Sequence, residues 1–173
     1  MTRVAISLGS NLGDRATNLQ KAVTALEARL SILATSNIYE TSPMYVESQP
    51  PFLNAALLAE TDLGPLALLR FLKDTERSVG RIPTDRNGPR EIDLDLITYG
   101  VLKYRFRALG VEALVLPHPR VAERRFVLQP LNDIDPKGSI LGLGKIGDLL
   151  VATEMQAATV RKVSDALLPI LSR

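Results

Sequence analysis

Two aspartates with one residue between them, Asp93-Leu94-Asp95, are the densest chemical feature of this 173-residue chain. They close the run Arg86-Asn87-Gly88-Pro89-Arg90-Glu91-Ile92-Asp93-Leu94-Asp95-Leu96-Ile97, whose strict alternation over 92–98 predicts a strand. Alternate side chains of a strand share a face, with Cα atoms roughly 6.6 Å apart at about 3.3 Å per residue. Ile92, Leu94 and Leu96 are then expected to face a core, while Asp93 and Asp95 emerge together on the other side. Carboxylates so placed can share one cation or bracket a pair about 3.5–4 Å apart. A bare Asp-x-Asp most often marks only an exposed polar sheet face. Here aspartate is disfavoured in a strand, and like charges side by side are unfavourable unless a cation neutralises them. Arg81, Arg86 and Arg90 precede the pair within one loop. Guanidinium groups grip phosphate oxygens two at a time, so the combination suggests a metal-laden triphosphate. Magnesium suits a few carboxylates completed by phosphate oxygens and water. Calcium usually needs more ligands, and one histidine with no cysteine argues against zinc.

The elements that must position this segment can be read from periodicity. Val4, Ile6 and Leu8 mark a first strand, and 9–14 reads as a turn with Asp14 or Thr17 as helix cap. That loop lacks the Gly-Lys-Ser/Thr ending of a phosphate-binding P-loop. Leu19, Val23, Leu26 and Leu30 recur with helical spacing. Residues 32–41 are strand-like but irregular, 45–51 form a proline-bearing loop, and 52–61 form the next strand. A second helix opens at Gly64-Pro65 and closes at Gly80. With 92–98 the order is β-α-β-β-α-β, the ferredoxin-like arrangement of an α+β sandwich. Beyond it lie a strand-like 114–116, a short turn reaching Phe126-Val127-Leu128, and a C-terminal helix expected to present Val160, Val163, Leu167 and Ile170, with Pro169 fraying its end.

Composition bounds the partners. Hydrophobic residues make up 46% and charged residues 23%, which suits one domain with a real core. A formal charge of +2 gives no support to a nucleic-acid partner. Locally, residues 70–125 hold 12 basic against 8 acidic groups, a balance fitting a small polyanion or simply a solvated charged face. Apolar runs are too short to cross a bilayer, and the start of the chain lacks a signal-peptide core, so a cytoplasmic location is expected.

Other residues attract attention singly. Asn54 interrupts an apolar strand and must find polar partners. Phe52 and Phe126 alone would be core residues, the single histidine, His118, a surface turn between prolines, and Arg124 a solvated arginine.

Taken together, Arg-x-Gly-Pro-Arg-x-x-Asp-Leu-Asp-Leu-Ile at 86–97 resembles the signature of the 6-hydroxymethyl-7,8-dihydropterin pyrophosphokinase family. Agreeing segments follow in order: Gly9-Ser10-Asn11-Leu12-Gly13-Asp14-Arg15, Tyr39-Glu40-Thr41-Ser42-Pro43, Phe52-Leu53-Asn54-Ala55, Glu76-x-x-x-Gly80-Arg81, Leu116-Pro117-His118-Pro119-Arg120 and Glu123-Arg124-Arg125-Phe126-Val127-Leu128. The likeness covers about 4–150. It implies a ferredoxin-like fold and transfer of pyrophosphate from ATP to the pterin's hydroxymethyl oxygen, with AMP released, in folate biosynthesis. It also implies two magnesium ions on Asp93 and Asp95, with Asp95 a candidate proton acceptor. Arg81, Arg86, Arg90, His118 and Arg124 would serve ATP, with Glu76 orienting Arg81. Phe52 and Phe126 would stack the pterin, Asn54 would read its amide edge, and Thr41, Ser42, Pro43 and Met44 would line that pocket. Asn87 stands where some members carry tryptophan, and Ser42 where some carry proline.

The expected layout is a catalytic domain at 1–151 and a helical extension at 152–173 packed on it, in a monomer or, through the extension, a dimer. Loops around Val46 and Pro83 are expected to act as lids, and the basic 103–110 stretch has no assigned role. Two rivals remain: a palm-like nucleotidyl transferase, and a non-catalytic nucleotide-binding module of the same fold.

Overall fold

The computed structural model describes residues 1–43, 48–83, 88–108 and 111–165, without the side chains of 111 and 112. Met44, Val46, Arg86, Asn87, Leu167, Pro169 and Ile170 thus lie outside the described residues.

Alternating hydrophobicity lays down the sheet. Strand β1 (Thr2–Ser10) leads to α1 (Arg15–Leu26), whose first turn is capped by Asp14 accepting the Thr17 N–H at 3.0 Å. The irregular stretch that follows is two short strands, β2 (Ser31–Thr35) and β3 (Ile38–Thr41), both paired antiparallel with β4 (Phe52–Thr61). Ser36 spans the break, since its hydroxyl accepts the Ala56 N–H at 2.8 Å and donates to the Asn37 carbonyl at 2.7 Å. Helix α2 (Pro65–Val79) and strand β5 (Asp93–Tyr99) complete the expected order. In space the strands run β5-β1-β4-β3, all antiparallel neighbours, with β2 also on β4. The result is a mixed helix and antiparallel-sheet domain.

Each face of the sheet has its own apolar layer. Val4, Ile6, Leu8, Leu57, Leu94 and Leu96 point toward α1 and α2. Ala5, Ala56, Leu58 and Ile97 point the other way, toward α3 (Arg125–Ile134). Between β5 and α3 comes a separate hairpin, β6 (Tyr104–Ala108) and β7 (Val111–Leu116), so most of the basic 103–110 stretch is a strand. A small ribbon, β8 (Ser139–Ile140) and β9 (Gly144–Lys145), precedes α4 (Ile146–Ala152).

Two expectations need correction. The short turn reaching Phe126–Leu128 is instead the start of the ten-residue α3, which buries Val127, Leu128 and Leu131 at helical spacing despite Pro130. Further, no helix carries Val160 and Val163. A 3₁₀ turn (Glu154–Thr159) leads into β10 (Val160–Ser164), which pairs antiparallel with β3 and becomes the sheet edge. Helical spacing of valines here coincides with β-branched residues that prefer a strand once an open edge offers backbone partners.

Helix α2 ends in a device that matters for the site. Gly80 has φ of 118°, and this left-handed turn lets the Arg81 N–H bond back to the Glu76 carbonyl at 3.0 Å. The turn reverses the chain so that Arg81 lies over its own helix. Gly80→Ala should destabilise the protein by roughly 1–3 kcal/mol, the range for a strained backbone position. Urea unfolding checks this, and an unchanged midpoint would mean the turn relaxes without strain.

Candidate active site

Strand register builds the floor of the site. Asp93 pairs with Gly9, Gly9 with Asn54, and Asn54 with Tyr39, while Asp95 pairs with Ser7 and Phe52 with Thr41. Period two turns Asp93, Asp95, Ser7, Gly9, Asn54, Phe52 and Thr41 to one face. All of them line a single cavity of about 260 Å³, walled also by Ser42, Lys73, Arg81, Arg90, Arg124 and Phe126. Gly9 keeps that floor open, because a Cβ there would stand 3.2 Å from Asn54 Oδ1 and 3.7 Å from Phe52 Cδ1. The core-facing partners of the pair, Ile92, Leu94 and Leu96, are buried as alternation requires.

The cavity has a charged half and an amphipathic half. In the charged half Asp93 receives Arg81 Nη1 at 2.8 Å and Arg90 Nη1 at 3.0 Å, and Arg124 Nη1 stands 3.6 Å from Asp95. Burial pushes both carboxyls toward the neutral form. For Asp93 the Arg90, Lys73 and Arg81 charges outweigh burial and hold it below the usual carboxylate range. For Asp95, burial first and then the charge of Asp93 push it up to about 6. Arg81 stays charged, since Asp93 and Glu76 together outweigh the penalty of its burial.

Glu76 anchors this half without entering the cavity. It is 2% exposed and takes Arg81 Nη1 at 2.5 Å, Lys73 Nζ at 2.9 Å and the Leu94 N–H at 2.7 Å. Burial raises its pKa nonetheless, the ion pair with Lys73 working in the opposite direction. Lys73 also donates to the Leu94 carbonyl at 3.5 Å. These two side chains of α2 therefore satisfy both backbone groups of Leu94 on the open edge of β5.

In the other half, Asn54 donates to Thr41 Oγ1 at 2.6 Å, and the Phe52 and Phe126 rings line the wall. The Arg124 guanidinium lies 5.7 Å from the Phe126 ring centroid, within cation–π range. Asn11 ties the two halves together. It accepts the Arg90 N–H at 2.8 Å and donates to Gln49 Oε1 at 3.0 Å and to the Pro50 carbonyl at 3.3 Å.

Of the residues singled out by sequence, Asp93, Asp95, Arg81, Arg90, Arg124, Thr41, Ser42, Phe52, Asn54 and Phe126 meet in this cavity. Glu76 stands behind it. His118 instead lines a second cavity of about 210 Å³, together with Leu69, Leu96, Leu114 and Pro119, and Lys73 and Asp95 belong to both cavities. Burial and the Arg124 and Arg120 charges lower the His118 pKa to about 4, so its ring is neutral. The Arg120 N–H donates to its Nδ1 at 3.2 Å, leaving the proton on Nε2. Pro43 is half-buried beside Ser42 but does not line either cavity. Met44 and Arg86 fall outside the described residues.

Sequence reasoning missed Lys73, Ser7, Gly9 and Asn11. A signal existed for three of them. Lys73 occupies the apolar stripe of α2 between Leu69 and Glu76, and Ala5, Ser7 and Gly9 alternate with Val4, Ile6 and Leu8, a run of small residues on one face.

Could the acidic pair hold a metal? Among the described residues no group of three or more His, Cys, Asp or Glu side chains is placed to do so. Two hard oxygen donors on one strand, one of them driven toward neutrality by burial and then by the other's charge, nonetheless fit magnesium completed by substrate oxygens.

Fold and site define a small α+β protein with a charged cleft beside an aromatic pocket. The chain belongs to the 7,8-dihydro-6-hydroxymethylpterin-pyrophosphokinase (HPPK) family, whose model matches residues 5–136. It is 43% identical over 131 residues to the Bacillus subtilis 2-amino-4-hydroxy-6-hydroxymethyldihydropteridine pyrophosphokinase, covering 75% of each chain. It is 45% identical over 132 residues to the mitochondrial folate synthesis bifunctional protein of Pisum sativum, covering 76% of this chain and 25% of that one. This chain thus spans about a quarter of the length of that longer relative. A crystal structure of Plasmodium falciparum HPPK-DHPS superposes with a TM-score of 0.77 at 15% identity, over 93% of this chain and 47% of the other, a likeness of fold.

The raised carboxyl of Asp95 has a consequence for the metal-free protein. The folded state binds its proton more tightly than the unfolded chain, whose carboxyl titrates near 3.8. The group therefore weakens stability above pH 6, and that penalty disappears as pH falls toward 3.8. In chelator-treated samples at pH 8, Asp95→Asn should be the more stable protein by about 1 kcal/mol or more, allowing for partial solvent access. The gap should close by pH 4. A constant difference across that range would contradict the assignment.

Proposed function

We propose that this protein transfers the pyrophosphoryl group of ATP to the hydroxymethyl oxygen of 6-hydroxymethyl-7,8-dihydropterin, releasing AMP, as a step of folate biosynthesis. The observation that carries this reading is the joining, in one cavity, of an acidic pair with three arginines on one side and of two phenylalanines with a buried carboxamide on the other. A phosphorylated nucleotide needs the first half. A flat heterocycle with an amide edge fits the second, because Asn54 can donate and accept at once.

In this reading Asp93 and Asp95 hold two magnesium ions, which supply neutralisation of the triphosphate charge. Arg81 and Arg90 exchange part of their hold on Asp93 for phosphate oxygens, and Arg124 does so from the far wall. Arg86 belongs to the same loop and is assigned to the phosphates by the family signature. The second cavity, apolar and reached past Lys73 and Asp95, fits the nucleotide base, with neutral His118 offering its Nε2–H to ribose or phosphate. Phe52 and Phe126 stack the pterin, and Thr41, Ser42, Pro43 and Met44 flank its edge.

The chemistry is a single displacement. The hydroxymethyl oxygen attacks the β-phosphorus, the bond to the α–β bridging oxygen breaks, and AMP leaves with that oxygen. Asp95, which lines both cavities, accepts the alcohol proton. Most of the acceleration comes from alignment and charge complementarity.

We further read the core as a ferredoxin-like sandwich, supported by the order β5-β1-β4-β3 with both long helices on one face. A catalytic unit at 1–151 with 152–173 as an extension, a monomeric state with a dimer as the alternative, loops around Val46 and Pro83 as lids, and a cytoplasmic location complete the reading. Among the described residues, no helix is long and apolar enough to cross a membrane.

Asp95→Ala should abolish AMP formation from ATP and the hydroxymethyl pterin while circular dichroism shows a folded protein. Undiminished turnover would end the mechanism. Asn54→Ala should weaken pterin binding by roughly 1–3 kcal/mol through the lost paired contacts. Calorimetry returning the parent affinity would remove Asn54 from the pocket.

A further inference from the structure

The segment following α4 lies beyond the residues matched by the family model, which ends at 136. It nevertheless touches both walls of the aromatic half of the cavity. On one wall, β10 pairs with β3 from Ser164 opposite Ile38 to Val160 opposite Thr41. The ladder continues to the cavity rim, where the Ser42 N–H donates to the Thr159 carbonyl at 3.3 Å. Arg161 Nη2 reaches Glu40 Oε1 at 2.9 Å, and Glu40 Oε2 also takes Arg15 at 3.0 Å. Arg15 in turn donates to the Pro51 carbonyl at 2.7 Å, immediately before Phe52.

On the other wall, three residues before Thr159, stands Gln156. Its Oε1 accepts the Arg125 N–H at 3.1 Å, and its Nε2 donates to the Glu123 carbonyl at 2.9 Å. Arg125 opens α3, whose start has no side-chain cap of its own. The Gln156 carboxamide therefore satisfies one of the N–H groups a helix leaves unpaired and fixes the turn that presents Arg124 and Phe126. Thr159 is locked to Gln156 by its hydroxyl, which donates to the Gln156 carbonyl at 2.8 Å. One rigid 3₁₀ turn thus links the two walls.

We infer that residues 154–164 form a strap that sets the width of the aromatic pocket, with Gln156 a positioning residue that selects for the pterin without touching it. The strap rests on the proposed function for the identity of the ligand, and on the geometry alone for its coupling of the walls.

Calorimetry on full-length Gln156→Ala separates these. Pterin affinity should fall about five- to tenfold, the effect of losing one or two hydrogen bonds. Affinity for a non-hydrolysable ATP analogue should stay within about twofold, because Arg81 and Arg90 reach the phosphates from segments the strap does not touch and only Arg124 depends on it. Gln156→Glu, which keeps the acceptor for the Arg125 N–H, should recover most of the loss. Unchanged pterin affinity, or parallel loss of both ligands, overturns the inference. If the parent binds the ATP analogue but no pterin, the functional reading falls and amide hydrogen exchange decides the strap alone. Gln156→Ala must then speed exchange at Ser42 on the far wall as well as at Arg125, and protection at Ser42 equal to the parent's refutes the coupling.

Discussion

Asp93 and Asp95 point the same way from one strand, and the repulsion between them organises the groups around them. Arg81 and Arg90 neutralise the first, so it stays ionised although buried. Around the second, burial and the charge of the first outweigh Lys73 and Arg124, and its pKa is raised. The asymmetry follows from which loops can reach which carboxylate. Arg90 lies three residues before Asp93 on the same chain, and the Gly80 turn folds Arg81 back toward the same point.

How the fold holds this strained pair is decided at the edge of the sheet. Strand β5 has a neighbour on one side only, β1. A free edge ordinarily invites pairing with another chain or fraying. Here α2 closes it at Leu94, the residue between the aspartates, with Glu76 taking the N–H and Lys73 the carbonyl. Because Glu76 also binds Arg81, the interaction that holds the strand also aims the arginine. Fold stability and site geometry thus share one buried carboxylate, whose removal would leave two cations and a backbone donor without it.

Much of this was legible before any coordinates. Alternation at 92–98 correctly placed the acidic pair opposite Ile92, Leu94 and Leu96, and the β-α-β-β-α-β order of the first six principal elements followed from period and turn residues. What escaped was information that local pattern does not hold. Gly9 and Ser10 read as a turn because glycine and serine are turn residues, yet nine paired positions with β4 carry β1 through them. Helix α3 escaped because its apolar spacing is short and contains Pro130, which the helix tolerates while burying Val127, Leu128 and Leu131. Valines spaced as on a helix became β10 because β3 left an edge to fill, a fact about distant residues.

Small residues bring the two halves of the site into one cavity. Gly9 sits between Asp93 and Asn54 in the register, so the charged half and the carboxamide are separated by a position with no side chain. A β-carbon there would meet Asn54 and Phe52, narrowing the passage between the two halves. Asn11, two residues on, fastens the arginine loop at Arg90 to the loop preceding Phe52. One strand end therefore spaces the halves and ties their loops together. That explains why the stretch 9–11 matters to the site although it carries no charge. Its contribution is geometric: it fixes the distance between the charged half of the cavity and the aromatic half.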